Sequence, residues 1–368
     1  MRKYYYLFII SLIACQEGKH RNKAQIDSSN RYQEISKKQS RLIFENIKEL
    51  PINTKISFGF IENGSVKFYG VKIDHDSVIS VKNHQKVYEI GSITKVFTST
   101  LLAQYVVDGR VNLEDDITDH LQIDIKGNPG ISFKQLANHT SGLPRLPSNL
   151  ETDSFDPENP YKAYDEKHLR QYLLDQIDLE QSPGERYSYS NLGAGLLGFA
   201  LEKLDGKSYE QLVQKNIFSK YVMIHTTTQR KSVEHLLIKG LDENGTEASN
   251  WDLSALVGAG GALSTTEDLS KFVLAHFDSS NEALNLTRTK TFTVNQISDI
   301  GLAWEIIKRK SGDTWYKHNG GTGGYTSSII MDIENNNGII ILSNVSAYNS
   351  KRSIIEDWSF DLMKSIYQ

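Results

Sequence analysis

Residues 88–108 read YEIGSITKVFTSTLLAQYVVD. The apolar spacing Val96, Leu101, Leu102, Tyr105 predicts a helix ending near Asp108. Ser92 stands at its start and Lys95 three positions on, so hydroxyl and amine share one face. In the first turn, free N–H groups and the positive end of the helix dipole favour a developing oxyanion. A serine is a weak nucleophile at neutral pH. A neighbouring lysine can take its proton only if burial or positive charge lowers that lysine's pKa. A chain of this length holds about one Ser-x-x-Lys by chance, and alone the spacing fits an ordinary helix start capped by Ser92 at least as well.

Outward from this stretch, Lys55 to Phe60 and Ser65 to Lys72 flank Glu62-Asn63-Gly64, the pattern of a β-hairpin. Before it, Ile35, Leu42, Ile43, Ile47 and Leu50 predict one amphipathic helix over Tyr32–Leu50, stopped by Pro51. Near the C-terminus, Leu302–Lys308, Thr314–Lys317, Thr326–Asp332 and Gly338–Ser343 read as short strands, followed by a helix over Ser350–Ile366. Residues 92–290 are mostly helical in character. Strands at both ends with helices between predict a mixed α/β (α+β) fold. Its antiparallel sheet is formed by the N- and C-terminal segments and flanked by helices, with a mostly helical subdomain inserted over roughly 110–290.

Of the 368 residues, 41 are Lys or Arg and 45 are Asp or Glu, a net charge of -4. The chain therefore lacks the concentrated positive field that nucleic-acid binding requires. Its one cysteine, Cys15, excludes an internal disulfide framework. Arg2 and Lys3 precede an apolar run from Tyr4 to Ala14, too short to span a bilayer and suited to the core of a signal peptide. Leu12-Ile13-Ala14-Cys15 resembles a bacterial lipobox. The expectation is a lipoprotein signal peptide over 1–14, lipidation at Cys15, a polar tether over 15–30, and a catalytic domain over 31–368. This places the protein in the cell envelope, on the periplasmic side, held to the membrane by its N-terminal lipid.

Two further runs carry chemistry. Tyr189 and Asn191, in Pro183-Gly184-Glu185-Arg186-Tyr187-Ser188-Tyr189-Ser190-Asn191, place a phenol and an amide on one side of an extended strip. The phenol can relay a proton and the amide can fix a carbonyl. His318-Asn319-Gly320-Gly321-Thr322-Gly323-Gly324-Tyr325 lies between two predicted strands, where glycines let main-chain N–H groups approach a ligand. It is not a dinucleotide fingerprint, because Thr326 stands where the third glycine belongs. The histidines show no His-Glu-x-x-His spacing, so neither metal nor cofactor is implied.

Ser-x-x-Lys and Tyr-x-Asn each occur once, in the order Ser92…Lys95, Tyr189…Asn191, His318…Gly320. This series resembles the serine penicillin-recognising superfamily of class C β-lactamases, DD-peptidases and related esterases. Leu136–Pro144 (LANHTSGLP) and Gly260–Leu269 (GGALSTTEDL) resemble its connecting segments, so the likeness covers roughly residues 50–345. The resemblance implies a β-lactamase/transpeptidase-like fold. It also implies that Ser92 forms an acyl-enzyme with amide, ester or β-lactam carbonyls of small-molecule or peptidoglycan-like substrates. Lys95 and Tyr189 would share the acid–base work. Asn191, His318, Gly320, Gly321 and Thr322 would bind substrate, with an oxyanion hole at the N–H groups of Ser92 and Gly321. The alternative is a sensor that acylates without turnover.

One departure matters. Many β-lactamases and penicillin-binding proteins carry Lys-Thr-Gly where this chain has His318-Asn319-Gly320. A permanent ammonium is replaced by an imidazole with an ordinary pKa near 6.5. The resemblance then points to peptidase or esterase activity in preference to efficient cephalosporin hydrolysis. His139 reads as a structural loop residue with satisfied ring nitrogens. Trp251, Trp304 and Tyr325 could line the cleft, although aromatic residues are core by default.

Overall fold

A computed structural model of the chain describes residues 35–367, apart from 122 and 124. Asn63 and Gly64 have φ of 50° and 78°, the paired positive values of a turn whose twist matches the strands it joins. It links β1 (Lys55–Glu62) to β2 (Ser65–Asp74), with Glu62 opposite Ser65 and Lys55 opposite Lys72. β3 (Ser77–Ser80) extends that edge. β4 (Tyr88–Glu89) and β5 (Leu263–Ser264) form a separate small pair.

The C-terminal part supplies β6 (Phe292–Thr293), β7 (Ser298–Ile300), β8 (Glu305–Lys308), β9 (Thr314–Gly321), β10 (Thr326–Asp332) and β11 (Asn337–Ser343). The sheet order is β3-β2-β1-β11-β10-β9-β8-β7-β6, with every pairing antiparallel. β1 and β11 meet with Phe58 opposite Ile341, so the two ends of the chain complete one sheet, as the sequence pattern predicts.

Both faces of the sheet are covered. β10 and β11 are buried at every position, which is why they read as unbroken runs rather than alternating patterns. On one face pack helices Lys37–Asn46 and Ser353–Ile366, whose Ile43, Trp358 and Leu362, with Ile47 in the turn after the first helix, meet Phe58, Ile330 and Ile341. The rings of Phe58 and Trp358 stand edge-on at 5.9 Å, and Trp358 Nε1 donates to the Leu42 carbonyl at 2.8 Å. The other face carries helices Thr94–Val107, Asn191–Asp205 and Thr266–His276 around the larger core.

Several boundaries differ from the sequence pattern. The N-terminal helix starts at Lys37 because Ser36 and Gln39 cap it reciprocally, at 2.9 and 3.1 Å. The segment expected as a strand from Leu302 becomes β8 only at Glu305, since Ala303 takes φ 66°. β9 does not stop at Lys317. It continues through His318–Gly321, with Gly320 opposite Ser327 and Gly321 opposite Thr326. The signal peptide, Cys15 and the tether lie outside the described residues, as do residues 31–34 and 368 of the expected domain. Among the described residues no helix is long and apolar enough to cross a membrane.

Candidate active site

Ser92 sits in a 3-10 turn, Gly91–Ile93, that leads into helix Thr94–Val107. Three residues per turn bring positions i and i+3 nearly into line, and Lys95 Nζ lies 3.0 Å from Ser92 Oγ. Thr94 fixes this start: its hydroxyl donates to the Gly91 carbonyl at 2.7 Å and accepts from Ala262 N at 3.0 Å. The helix is buried over Thr94–Ala103, and Lys95 with it. Lys95 Nζ also lies 2.9 Å from Asn191 Oδ1 and 2.7 Å from the Ala259 carbonyl. Desolvation, aided by the nearby Arg145 cation, holds its pKa well below the usual lysine value.

The second segment is shaped by Ser190, whose Oγ caps helix Asn191–Asp205 by accepting from Gly193 N at 2.8 Å and donates to the Pro144 carbonyl at 2.7 Å. The extended strip predicted over Tyr189–Asn191 therefore ends at Ser190, and Asn191 opens a helix. The Tyr189 side chain lies near enough to Ser92 to act on it as a hydrogen-bonding group. Burial raises its phenol above the usual tyrosine value, more than the nearby Ser92 side chain lowers it. Its ring also lies 4.8 Å from Lys95 Nζ and 5.2 Å from the Arg145 guanidinium. Asn191 gives its carbonyl oxygen to Lys95 and turns Nδ2 toward Tyr161 Oη at 3.4 Å.

The third segment is the end of β9. A Cβ on Gly320 would stand 1.9 Å from the Ile90 carbonyl oxygen, and one on Gly91, which has φ 49°, 2.6 Å from Gly321 N. Glycine at these points lets the strand and the Gly91–Ile93 turn touch main chain to main chain. Ser327 Oγ holds the same contact by donating to the Ile90 carbonyl at 2.9 Å. The main chain of Thr322 is used internally, its N donating to Tyr325 O and its carbonyl accepting from Ala347 N. Thr322 also lines the narrower cavity of the site.

His318 is buried, with Nδ1 2.7 Å from its neighbour's carbonyl oxygen, Asn319 O. Nδ1 therefore carries the hydrogen and Nε2 is an acceptor. Burial first, and the Lys95 amine second, lower the imidazole to about 3, so it is neutral.

Two cavities meet here, and Ser92 and Gly321 are the residues they share. A wide cleft of about 460 Å³ runs past Arg145, Tyr187, His318 and Arg352. A narrow one of about 20 Å³ is walled by Tyr161, Asn191, Trp251 and Leu253. Among the described residues no group of three or more His, Cys, Asp or Glu is placed to hold a metal.

His139 corrects one expectation. Its Nδ1 accepts from Ser190 N at 3.2 Å, but Nε2 is buried with no partner. The reason is its seat beneath the site: its ring is 4.3 Å from that of Tyr189 and edge-on to Tyr187 at 5.8 Å. Burial and the Lys95 charge hold its pKa well below the histidine norm. Of the three aromatic residues, Trp251 walls the narrow cavity with Tyr161, their rings 5.4 Å apart, whereas Trp304 and Tyr325 are core. The Ala259 carbonyl, Tyr161 and Arg145 were missed. An alanine carbonyl has no sequence signal, and Arg145 could have been found from its place directly after the Leu136–Pro144 segment.

A family model described as Beta-lactamase matches residues 56–359. Protein flp of Staphylococcus aureus (strain N315) is 26% identical over 312 residues, covering 78% of this chain. The chain spans only 59% of that relative's length. The D-alanyl-D-alanine-carboxypeptidase/endopeptidase AmpH of Escherichia coli (strain K12) is 27% identical over 277 residues, 70% of each chain. Among solved structures, a class C beta-lactamase superposes with TM-score 0.76 at 20% identity, covering 93% of this chain and 99% of that one. A beta-lactamase/D-alanine carboxypeptidase from Pseudomonas syringae gives 0.73 at 20% identity, covering 89% and 97%.

Proposed function

Because the chain belongs to the Beta-lactamase family, its model matching residues 56–359, we propose that it is a serine hydrolase working through an acyl-enzyme at Ser92. One observation carries this reading: Ser92 Oγ lies 3.0 Å from the amine of a buried lysine, with the Tyr189 hydroxyl near enough to act on Ser92. A neutral amine has two hydrogens and one lone pair. With the hydrogens on Asn191 Oδ1 and the Ala259 carbonyl, the lone pair is left for the Ser92 hydroxyl. Lys95 takes that proton as Oγ attacks the substrate carbonyl carbon. The oxyanion that forms is met by the main-chain N–H groups of Ser92 and Gly321.

When the intermediate collapses, the bond to the leaving group breaks and that group departs with a proton delivered through the Tyr189 hydroxyl, which Lys95 replenishes. The raised pKa of Tyr189 suits it to this role as a proton carrier. Water then attacks the acyl carbon, its proton passes back through the same groups, and Ser92 is regenerated as the acid is released. Asn191 Nδ2, only loosely engaged by Tyr161, is the donor for an acyl-side carbonyl.

The substrate class follows from His318. A neutral acceptor stands where an ammonium would attract the carboxylate of a β-lactam, which favours D-amino-acid peptides or amides and esters over cephalosporins. The named activity of AmpH supports the peptide option. The export and lipid anchoring read from residues 1–15 belong to the same proposal and fit an envelope substrate. Turnover of a p-nitrophenyl ester, D-amino-acid amides and a chromogenic cephalosporin by wild type and Ser92→Ala tests it. All activity should vanish in the variant, and a cephalosporin preference of several orders of magnitude would overturn the substrate assignment.

A further inference from the structure

Glu89 is an acid that the chemistry above leaves unused. It lies three residues before Ser92, in β4, and is 3% exposed. Its Oε1 accepts from Asn250 Nδ2 at 2.7 Å and from Trp251 N at 3.0 Å. Its Oε2 is buried and completes no hydrogen bond of ordinary geometry, and neither does the buried Thr322 Oγ1. Thr322 nevertheless lies near enough to act on the carboxyl as a side-chain hydrogen-bonding group.

The carboxyl thus stands where three parts of the site converge. Ser92 follows it in sequence, Thr322 follows the Gly321 amide, and Trp251 walls the narrow cavity. A Cβ on Gly323 would lie 2.7 Å from Trp251 Nε1, so strand end and indole are in close contact as well.

We propose that Glu89 is a positioning residue for acyl transfer at Ser92. In its protonated form its carboxyl ties the nucleophile turn to the end of β9 and to the indole wall. This rests on the hydrolase reading above. With both N–H donors on Oε1, that oxygen is the carbonyl of the acid, and Oε2–H is free to donate to Thr322 Oγ1. Ionisation removes that hydrogen, reverses the contact so that Thr322 Oγ1 must donate instead, and leaves a charge in a dry site. Burial, which outweighs the donors Thr322, Asn250 and Trp251, raises the carboxyl to about 7, and the Asp252 charge adds to the rise.

The other groups facing it are Arg230, held by Asp252 at 3.0 and 2.8 Å, and the Tyr325 hydroxyl, which accepts from Asn250 and donates to Ile238 O. Arg230 is thereby committed to Asp252, with Glu234 3.7 Å from its other amino group, and forms no ion pair with Glu89.

The test compares wild type with Glu89→Gln and Glu89→Ala over pH 5 to 9, in the full protein. Glutamine reproduces the protonated acid, with an amide hydrogen for Thr322. Tryptophan emission without substrate should show a wild-type transition near pH 7 that is absent in Glu89→Gln. In ester hydrolysis, wild-type kcat/KM should lose a component over the same range. Glu89→Gln should lack that pH component and retain at least tenfold more activity than Glu89→Ala. Superimposable emission and rate profiles for wild type and Glu89→Gln, or a Glu89→Ala enzyme within twofold of wild type at every pH, would overturn the proposal. If Ser92→Ala keeps full ester activity, the hydrolase reading fails instead, and the emission titration still judges Glu89.

Discussion

Replacing Gly320 by alanine puts one methyl group where the structure has least room for it. The new Cβ would lie 1.9 Å from the Ile90 carbonyl oxygen and 2.5 Å from Ser327 Oγ. Ser327 can rotate, but the Ile90 contact is main chain, two residues before Ser92. Strand and turn must therefore part by about 1 Å, the scale of misplacement that costs on the order of 100-fold in rate. That displacement falls between Ser92 and Gly321, the two donors of the proposed oxyanion hole, where loss of one donor costs about 100- to 1000-fold. The overpacking itself should destabilise the fold by only about 1–3 kcal/mol. Ester hydrolysis and thermal unfolding of Gly320→Ala should thus show kcat reduced at least 100-fold in a protein that still melts cooperatively. A variant within threefold of wild type would refute the argument that this contact sets the site's geometry.

Other outcomes follow from the charges and the core. Arg145→Ala removes one of the two causes that lower the Lys95 pKa, so the acid limb of the kcat/KM profile should move to higher pH; an unmoved limb would contradict the assignment of that limb to Lys95. Tyr189→Phe keeps the ring against His139 but loses the relay hydroxyl, and kcat should fall by about 100- to 10,000-fold, measured on the same ester. His276 is buried with neither ring nitrogen partnered, and its pKa is held well below the histidine norm. The unfolded chain binds that proton more readily, so stability is lost as pH falls below about 6.5, by up to ~1.4 kcal/mol per unit. His276→Leu should therefore raise Tm more at pH 5 than at pH 8. Trp358→Ala empties the layer between the terminal helices and the sheet and should cost about 3–5 kcal/mol in denaturant unfolding, leaving the kcat of the folded fraction unchanged.

What could be read from the sequence follows from how local each signal is. The hairpin at Asn63-Gly64 and the burial of β10 and β11 are encoded by adjacent residues, and their strands fall within a residue or two of expectation at most ends. Ser92 and Lys95 were legible because one turn of chain brings them together. β9 was cut short at Lys317 because glycines carry no side-chain pattern, although their main chain pairs normally. The partners that set the lysine's state were hidden. Asn191 lies 96 residues away in sequence and the Ala259 carbonyl 164, and only the fold aligns them. His139 shows the converse: its identity was visible, but its unpartnered nitrogen depends on which rings pack around it.

Intact-mass measurement of the protein after a fluorophosphonate probe, followed by peptide mapping, tests the central claim most directly. One adduct per chain, mapped to Ser92 in wild type and formed far more slowly in Lys95→Ala, is the predicted result. Labelling at another serine, or equal labelling rates with and without the Lys95 amine, would contradict it.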